Sequence, residues 1–189
     1  SYPYPAVLCV SVNDEIVHGI PNKSVKLREG DIVSLDLGLL HKGLITDGAI
    51  TVPVGKVSKE ATALMKATKK ALELAVKAAK VGNTTGDIGH AVESYVKPLG
   101  YGIVRILSGH GVGYSVHEDP YIPNYGRRGT GEKLVAGMVI AIEPMLNLGT
   151  EDVCVTDDEY TYITEDGKIS AHFEHTVAIT EKGPIILTK

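Results

Sequence analysis

Four carboxylates interrupt stretches of the sequence that are otherwise apolar and strand-like: Asp36, Asp47, Glu143 and Glu174. Their neighbours are mostly Val, Ile, Leu and Ala. Burying a charge without a partner is costly, so a carboxylate in a buried strand needs compensation. A divalent cation is one such partner, because hard cations bind carboxylate oxygens. These positions are therefore the first candidates for chemistry.

Hairpin geometry relates the first two carboxylates. Residues 31–40 and 44–54 alternate as two strands would. If residues 41–42 form a two-residue turn, Asp36 lies directly opposite Asp47 on one face. Opposed like charges destabilise a sheet unless something compensates them, which favours a cation. A three-residue turn with a bulge would shift the pairing by one, and two half-solvated aspartates near a turn are the structural alternative.

Three histidines lie in settings that could leave the imidazole free. His110 stands among three glycines, which let the backbone approach a bound group closely. His117 follows seven residues later, and His18 opens a tight turn. Taken singly, each fits a structural role better than a functional one. The remaining histidines are interpreted as structural: His41, His90, His172 and His175.

Other classes of protein are disfavoured. The sequence contains no His-Glu-x-x-His zinc motif, no Gly-x-Ser-x-Gly elbow and no phosphate-binding glycine loop. The formal net charge is −4 and no Lys/Arg cluster exceeds a pair, which argues against nucleic-acid binding. No apolar stretch approaches the roughly 18 residues that a membrane span needs. Two distant cysteines, Cys9 and Cys154, indicate reduced thiols and a cytoplasmic location.

The elements that must position these side chains predict an α+β fold. Residues 1–57 show strands and turns but no helical period. Ser58 is a good N-cap for a helix that stops at Gly82. Thr84 and Asp87 form a capping-box pattern for a second helix. Further strands are predicted near residues 8–12, 102–107, 138–143, 152–156, 160–163 and 172–180, with a loop over 121–131.

Read together, five residues form a set in the order Asp, Asp, His, Glu, Glu: Asp36, Asp47, His110, Glu143 and Glu174. This order and its flanking sequence resemble the pita-bread metallopeptidases, and most closely the type I methionine aminopeptidases. The segments that carry the resemblance span nearly the whole chain. They are VHGIP at 17–21, DLG at 36–38, DGAIT at 47–51, GHGVG at 109–113, HEDP at 117–120, IEPM at 142–145 and FEHT at 173–176.

The resemblance implies a pita-bread fold with a central antiparallel sheet, formed by one metallopeptidase domain over residues 1–189. It implies two divalent metal ions (Co, Mn, Fe or Zn) that share a nucleophilic water or hydroxide. Asp36 and Asp47 would bind one ion, and His110 and Glu143 the other. Asp47 and Glu174 would bridge the two. Glu143 would also carry the proton from that water to the leaving amine.

The resemblance also implies roles for residues that bind no metal. His117 would contact the scissile carbonyl or amide, and His18 would place the peptide and stabilise the tetrahedral intermediate. The first residue of the substrate would fill an apolar slot walled by Tyr4 and Cys9, with Tyr160 beside it.

Three features depart from the family pattern. Val116 stands where an aromatic residue is common, and Tyr160 stands where many members have Trp; both touch the substrate slot. The family has helices before the region of Tyr4, and the first half of this chain shows only strands. One face of its first-half sheet is therefore predicted to be poorly covered and to expose apolar surface.

The implied function is removal of the initiator methionine from nascent peptides by a monomeric enzyme of the cytoplasm, near the ribosome. Two alternatives share the pattern. An X-Pro aminopeptidase or prolidase uses the same ligand order, but VHGIP at 17–21 and the lack of a large amino-terminal domain favour methionine removal. A non-catalytic pita-bread module that binds ribosomes or peptides would usually lose metal ligands, and all five are present here.

Overall fold

The fold combines two helices with antiparallel strands. The computed structural model describes residues 4–189. Helix α1 is Lys59–Ala78 and helix α2 is Thr85–Val96, followed by a 3-10 turn at Lys97–Leu99. Each strand pair among these residues is antiparallel, as predicted. The strands are β1 Cys9–Val12, β2 Glu15–Val17, β3 Ile32–Asp36, β4 Leu39–His41, β5 Leu44–Thr46, β6 Ala49–Pro53, β7 Gly102–Ile103, β8 Gly109–Gly111, β9 Glu118–Ile122, β10 Val139–Ile142, β11 Met145–Asn147, β12 Val153–Val155, β13 Tyr162–Thr164, β14 Ser170–His172, β15 His175–Thr180 and β16 Gly183–Ile186.

The first half of the chain forms a three-stranded sheet in the order β1-β3-β6. Ser11, Ser34 and Thr51 lie side by side across it and are buried against the rest of the protein. The neighbouring residue in each strand points to the opposite face, which is apolar and only partly covered. These residues are Val10, Leu35 and Ile50. The predicted exposure of one face of this sheet is confirmed.

The second half forms a five-stranded sheet in the order β16-β15-β10-β8-β9. Helix α1 contacts β10 and helix α2 contacts β9, so both helices pack on this half of the molecule. The apolar positions of the helices and the sheet form one continuous buried core. Within the described residues, neither helix is long and apolar enough to cross a bilayer.

Both helices begin at the predicted caps, but α1 ends at Ala78, four residues before the predicted stop at Gly82. The Ser58 hydroxyl accepts the N–H of Ala61 at 3.0 Å. Thr84 and Asp87 form the reciprocal capping box at the start of α2. Among the described residues before α1, only strands and turns occur. The α+β prediction with a strand-only first half is thus confirmed.

The predicted register of the 31–54 hairpin is wrong. The turn residues are Lys42 and Gly43, both with positive φ (49° and 81°), and not residues 41–42. A two-residue turn of this type suits the strand twist, and glycine adopts the second position readily. The register therefore moves by two, and Asp36 pairs with Ala49. Asp47 is diagonal to Asp36 on the same face, still within reach of its side chain.

Two further boundaries differ from the prediction. Tyr121 and Ile122 belong to strand β9, so the predicted loop starts later. The predicted strand over 172–180 is broken after His172, where the main chain turns toward the first-half sheet and the Glu174 N–H donates to the carbonyl of Ala49. This contact between distant segments is not visible in the local pattern.

Candidate metal centre

The five proposed metal ligands converge where the two halves of the molecule meet. Each lies at a strand end, beside a strand or within a short one, on five separate parts of the chain. Asp36 ends β3, Asp47 lies between β5 and β6, His110 is in β8, Glu143 follows β10, and Glu174 precedes β15.

Two threonines join the segments that carry these ligands. The Thr176 hydroxyl accepts the N–H of Asp47 and donates to the carbonyl of the same residue, both at 2.7 Å. The Thr51 hydroxyl does the same for His172, at 2.9 and 2.8 Å. Each hydroxyl thus satisfies both main-chain groups of a residue from the other half. We call the two segments joined in this way, residues 47–51 and 172–176, the seam.

Glu174 lies in the middle of the seam. Its side chain is 3% exposed, and Oε1 has no hydrogen-bond partner among the described residues. Burial, together with the nearby carboxylates of Glu143 and Asp47, raises the pKa of Glu174 well above its usual value. A buried, unpartnered carboxylate oxygen beside other carboxylates fits a cation site.

His110 presents one ring nitrogen to the carboxylate of Glu143. Its Nδ1 lies 2.8 Å from the carbonyl oxygen of Gly111. Because a carbonyl can only accept, Nδ1 carries the proton and Nε2 of the neutral ring keeps its lone pair. Nε2 lies 3.4 Å from Glu143 Oε1. Two acceptors that face each other need a proton or a cation between them, and imidazole with carboxylate is a donor set that suits a divalent transition metal.

The glycines on either side of His110 have a packing role. A Cβ atom on Gly109 would overlap the carbonyl oxygen of Ala141, and one on Gly111 would overlap that of Asp119. Both glycines therefore allow neighbouring strands to approach β8 closely.

The two aspartates complete the cluster of carboxylates. Burial is the main cause that raises the pKa of Asp36 to about 7, with Asp47 and Glu143 adding to the shift and His172 opposing it. Donor atoms of Asp47, His110 and Glu174 all lie within 4.8 Å of one another. Asp36 and Glu143 flank this group. The residues present therefore fit a divalent metal.

The two histidines predicted to act without binding metal lie beside this cluster. The His117 ring packs edge-on against His110, with centroids 4.4 Å apart. His18 has a positive φ of 59° and packs edge-on against Tyr162, with centroids 5.8 Å apart. Desolvation lowers the pKa of both His18 and His117. Both rings therefore favour the neutral form.

A pocket of about 500 Å³ opens onto the aspartate side of the cluster. The predicted substrate residues all line it: Tyr4, Cys9, His18, His117 and Tyr160, with Val116 at the same wall. The rings of Tyr4 and Tyr160 meet edge-on with centroids 5.7 Å apart. Burial raises the pKa of the Cys9 thiol to about 11, so the thiol stays protonated.

Sequence reasoning missed three apolar walls of this pocket: Ala6, Val7 and Leu8. Their signal is an apolar run between Pro5 and the strand that carries Cys9. A larger groove of about 720 Å³, lined by Thr85, Tyr121 and Met138 among others, contains none of the proposed ligands.

Sequence reasoning also placed His172 among the structural histidines. The structure puts its side chain at the proposed centre, with Nε2 3.6 Å from Glu143 Oε2. The signal that could have found it is the one that found the carboxylates, because His172 is a polar residue two positions before Glu174 in a buried segment.

Comparison with known proteins agrees with this geometry. The sequence profile of metallopeptidase family M24 matches residues 1–181. A methionine aminopeptidase of Clostridium acetobutylicum is 49% identical over 185 residues, which cover 98% of this chain and 74% of the relative. The crystal structure of a methionine aminopeptidase from Thermotoga maritima superimposes with a TM-score of 0.94 at 48% identity, covering 96% of this chain and 73% of that one.

A more distant neighbour has the same fold. The prolidase of Pyrococcus furiosus superimposes with a TM-score of 0.78 at 30% identity, covering 97% of this chain and 49% of the prolidase. The profile match spans nearly the whole chain, and the bacterial relative is almost half identical. On these grounds the chain belongs to metallopeptidase family M24.

Proposed function

We propose that residues 1–189 form one catalytic domain, a metal-dependent aminopeptidase that removes methionine from the amino terminus of peptides. The observation that carries this proposal is the apolar pocket that opens directly onto the donor cluster. Asp47 belongs to both and Asp36 lines the pocket beside it, so a side chain held in the pocket brings its own α-amino group and peptide bond to the carboxylates. The relatives named methionine aminopeptidase support the same reading.

The pocket suits one unbranched apolar side chain. Leu8 and Cys9 supply apolar walls, and Tyr4 and Tyr160 close one side with their rings. The Tyr4 hydroxyl donates to the carbonyl of Gly19 at 2.7 Å, which fixes the ring next to the turn that carries His18. The pocket thereby selects the first residue of the peptide.

Hydrolysis needs a nucleophile and a proton path. A bound divalent metal lowers the pKa of a coordinated water, which supplies a nucleophile at neutral pH. Glu143 is the carboxylate placed to accept a proton and to deliver it to the leaving amine. His117 and His18, neutral and at the pocket wall, donate hydrogen bonds to the peptide carbonyl as negative charge develops on its oxygen.

The metal content is proposed to be two divalent ions, chosen from Co, Mn, Fe and Zn. Four carboxylates and one imidazole offer more donor atoms than one ion of ordinary coordination number binds. Asp36 and Asp47 would hold one ion and His110 and Glu143 the other, and Asp47 and Glu174 would be available to both. Elemental analysis of the reconstituted chain is expected to find two equivalents, and less than one would contradict the proposal.

Substrate preference tests the proposed reaction against the prolidase-like alternative. The reconstituted chain is expected to release methionine from Met-Ala-Ser and to leave a Gly-Pro peptide intact. Preference for the proline peptide would overturn the assignment. In the same assay, His117→Ala should lower turnover while the metal content stays at the wild-type value, because this histidine acts on the peptide. Loss of metal in this variant would show that its role is different.

The natural substrates are proposed to be the amino termini of new proteins. The enzyme is proposed to act on them as a monomer in the cytoplasm, close to the ribosome. The two cysteines are both free, which suits a reducing compartment. Sedimentation with purified ribosomes, with and without a nascent chain, tests the location of the enzyme. Recovery in the supernatant under both conditions would contradict ribosome proximity.

A further inference from the structure

His172 is a buried histidine for which the proposed reaction has no role so far. It is 1% exposed, and neither ring nitrogen has a hydrogen-bond partner among the described residues. Buried polar side chains in native proteins are almost always paired, so an exception calls for an explanation. An imidazole that served only to fill space would be replaced at lower cost by an apolar side chain.

The main chain of His172 is held firmly. The hydroxyl of Thr51 bonds both its N–H and its carbonyl across the seam. That hydroxyl donates its only proton to the carbonyl, so the Ser34 hydroxyl, 2.8 Å away, donates to Thr51 in turn. On the other side β14 pairs with β11 in the register Met145↔His172. Contacts with both sheets therefore fix the main-chain position of His172, from which its ring extends.

The ring is directed at Glu143. Glu143 lies two residues before Met145, and its carboxylate stands between two imidazoles. Oε1 is 3.4 Å from His110 Nε2, and Oε2 is 3.6 Å from His172 Nε2. The second distance is slightly longer than a hydrogen bond, and a small rotation of either side chain closes it. The two oxygens of Glu143 are thus in different surroundings.

We propose that His172 is a positioning residue for Glu143: it presents an Nε2–H to Oε2 and so turns Oε1 toward His110 and the metal. The neutral ring in its Nε2-protonated form supplies the donor. His172 is not proposed as a metal ligand, because the carboxylate of Glu143 lies between its ring and His110. This inference rests on the proposed metal centre.

A carboxylate that is held through one oxygen binds metal through the other with less loss of conformational freedom. Partners of metal ligands typically change metal affinity or activity about 10- to 100-fold when they are removed. The same contact fixes the orientation of the carboxylate that carries the proton in the proposed reaction. His172 therefore acts on both metal binding and turnover, through Glu143.

The test uses the full chain after removal of metal with a chelator, with Co²⁺ as the probe. His172→Leu removes the donor and keeps an apolar side chain of similar bulk, whereas His172→Gln keeps an N–H at similar reach. His41→Leu and His41→Gln, at an exposed strand end, are the matched controls. Calorimetric titration gives the affinity for Co²⁺, and visible absorption reports the geometry of the bound ion.

We expect His172→Leu to weaken Co²⁺ binding about tenfold and to lower kcat about 10- to 100-fold with KM within about twofold. The visible band of bound Co²⁺ should also shift. His172→Gln should recover affinity and kcat to within about threefold of wild type, and the His41 variants should match wild type.

Two results would overturn the proposal. In the first, His172→Leu binds Co²⁺ and turns over like wild type. In the second, the Leu and Gln variants lose the same amount of both, which would show that only the shape of the ring matters. If His172→Leu does not fold, His172→Asn replaces it, since its amide is polar but too short to reach Glu143. Wild-type protein that binds Co²⁺ without cleaving methionyl peptides would contradict the proposed function alone, because the titrations still decide the role of His172.

Discussion

The five-stranded sheet of the second half and the three-stranded sheet of the first half differ in how they are covered. Ile140, in the middle of the larger sheet, is 0% exposed beneath the helices. Ile50, in the smaller sheet, is 49% exposed because its face of that sheet is only partly covered. Both are isoleucines on strands, so the contrast arises from tertiary packing and not from residue type.

This difference shows which half of the molecule contributes most of the apolar burial that stabilises the fold. The apolar core belongs mainly to the second half, whereas two of the four carboxylates of the proposed centre, Asp36 and Asp47, come from the less covered sheet. The seam and the centre join the first half to the second, together with the sheet β12-β13-β2 and the buried contacts of Ile16 and Val17 with Val104 and Met145. Four neighbouring carboxylates repel each other without a cation, so metal binding is expected to stabilise the contact between the halves.

Removal of a proposed ligand at the contact between the two halves should have the largest effect. Asp47→Asn keeps the shape of the side chain but removes its charge, and we expect a loss of kcat/KM of about a thousandfold, or about 4 kcal/mol. Added Co²⁺ should no longer raise the melting temperature of this variant. Peptide hydrolysis and thermal melts with and without Co²⁺ measure both effects. A wild-type response to Co²⁺ would separate metal binding from the contact between the halves.

The matched isoleucines test the difference in packing directly. Ile140→Ala should cost about 2–5 kcal/mol of the free energy of unfolding, because it opens a cavity in a closed core. Ile50→Ala should cost less than about 1 kcal/mol, since its side chain is already half in water. Urea denaturation of both variants provides the comparison. Equal costs would mean that the apolar face of the first-half sheet is covered in solution.

The pH dependence of the metal-free chain should show the effect of the crowded carboxylates. The pKa of Asp36 is raised by burial from 3.8 to about 7, so ionisation of this group is less favourable in the folded state. The stability that goes with its protonated form is complete below about pH 4 and is lost as the pH rises through about 7. Urea denaturation between these pH values measures it, with Asp36→Asn as the control that should flatten the profile. A chain that becomes more stable over this range would contradict the arrangement.

The smallest effect is expected at the hairpin of β4 and β5. Leu40 is 66% exposed, so Leu40→Gln should change the free energy of unfolding by less than about 0.5 kcal/mol. Light scattering at increasing concentration should show a monomer for both proteins. A stable dimer that Leu40→Gln disrupts would show that this surface is an interface and would contradict the proposed monomer.

The sequence was most informative where a residue type conflicts with its surroundings. The carboxylates at 36, 47, 143 and 174 stand out because a charge in an apolar strand needs compensation, and the structure brings all four together. The caps at Ser58 and Thr84 were equally clear, since they depend only on residues three positions apart. Local rules of this kind require no knowledge of the fold.

Features set by distant contacts could not be predicted in the same way. The hairpin register depended on which residues of the turn adopt positive φ, and Lys42 gave no signal that it would. His172 looked structural because its neighbour Glu143 comes from another strand. The break in the strand after His172 depends on the carbonyl of Ala49, more than a hundred residues earlier.

The threonine hydrogen bonds of the seam have a kinetic consequence. The amide hydrogen of Asp47 is donated to a buried hydroxyl from the opposite half, so solvent reaches it only when the halves part. Its rate of exchange with deuterium therefore reports how often the seam opens. The amide of His172, held by Thr51, should record the same event from the other side. Two amides far apart in sequence would then exchange together, at a rate that bound metal slows.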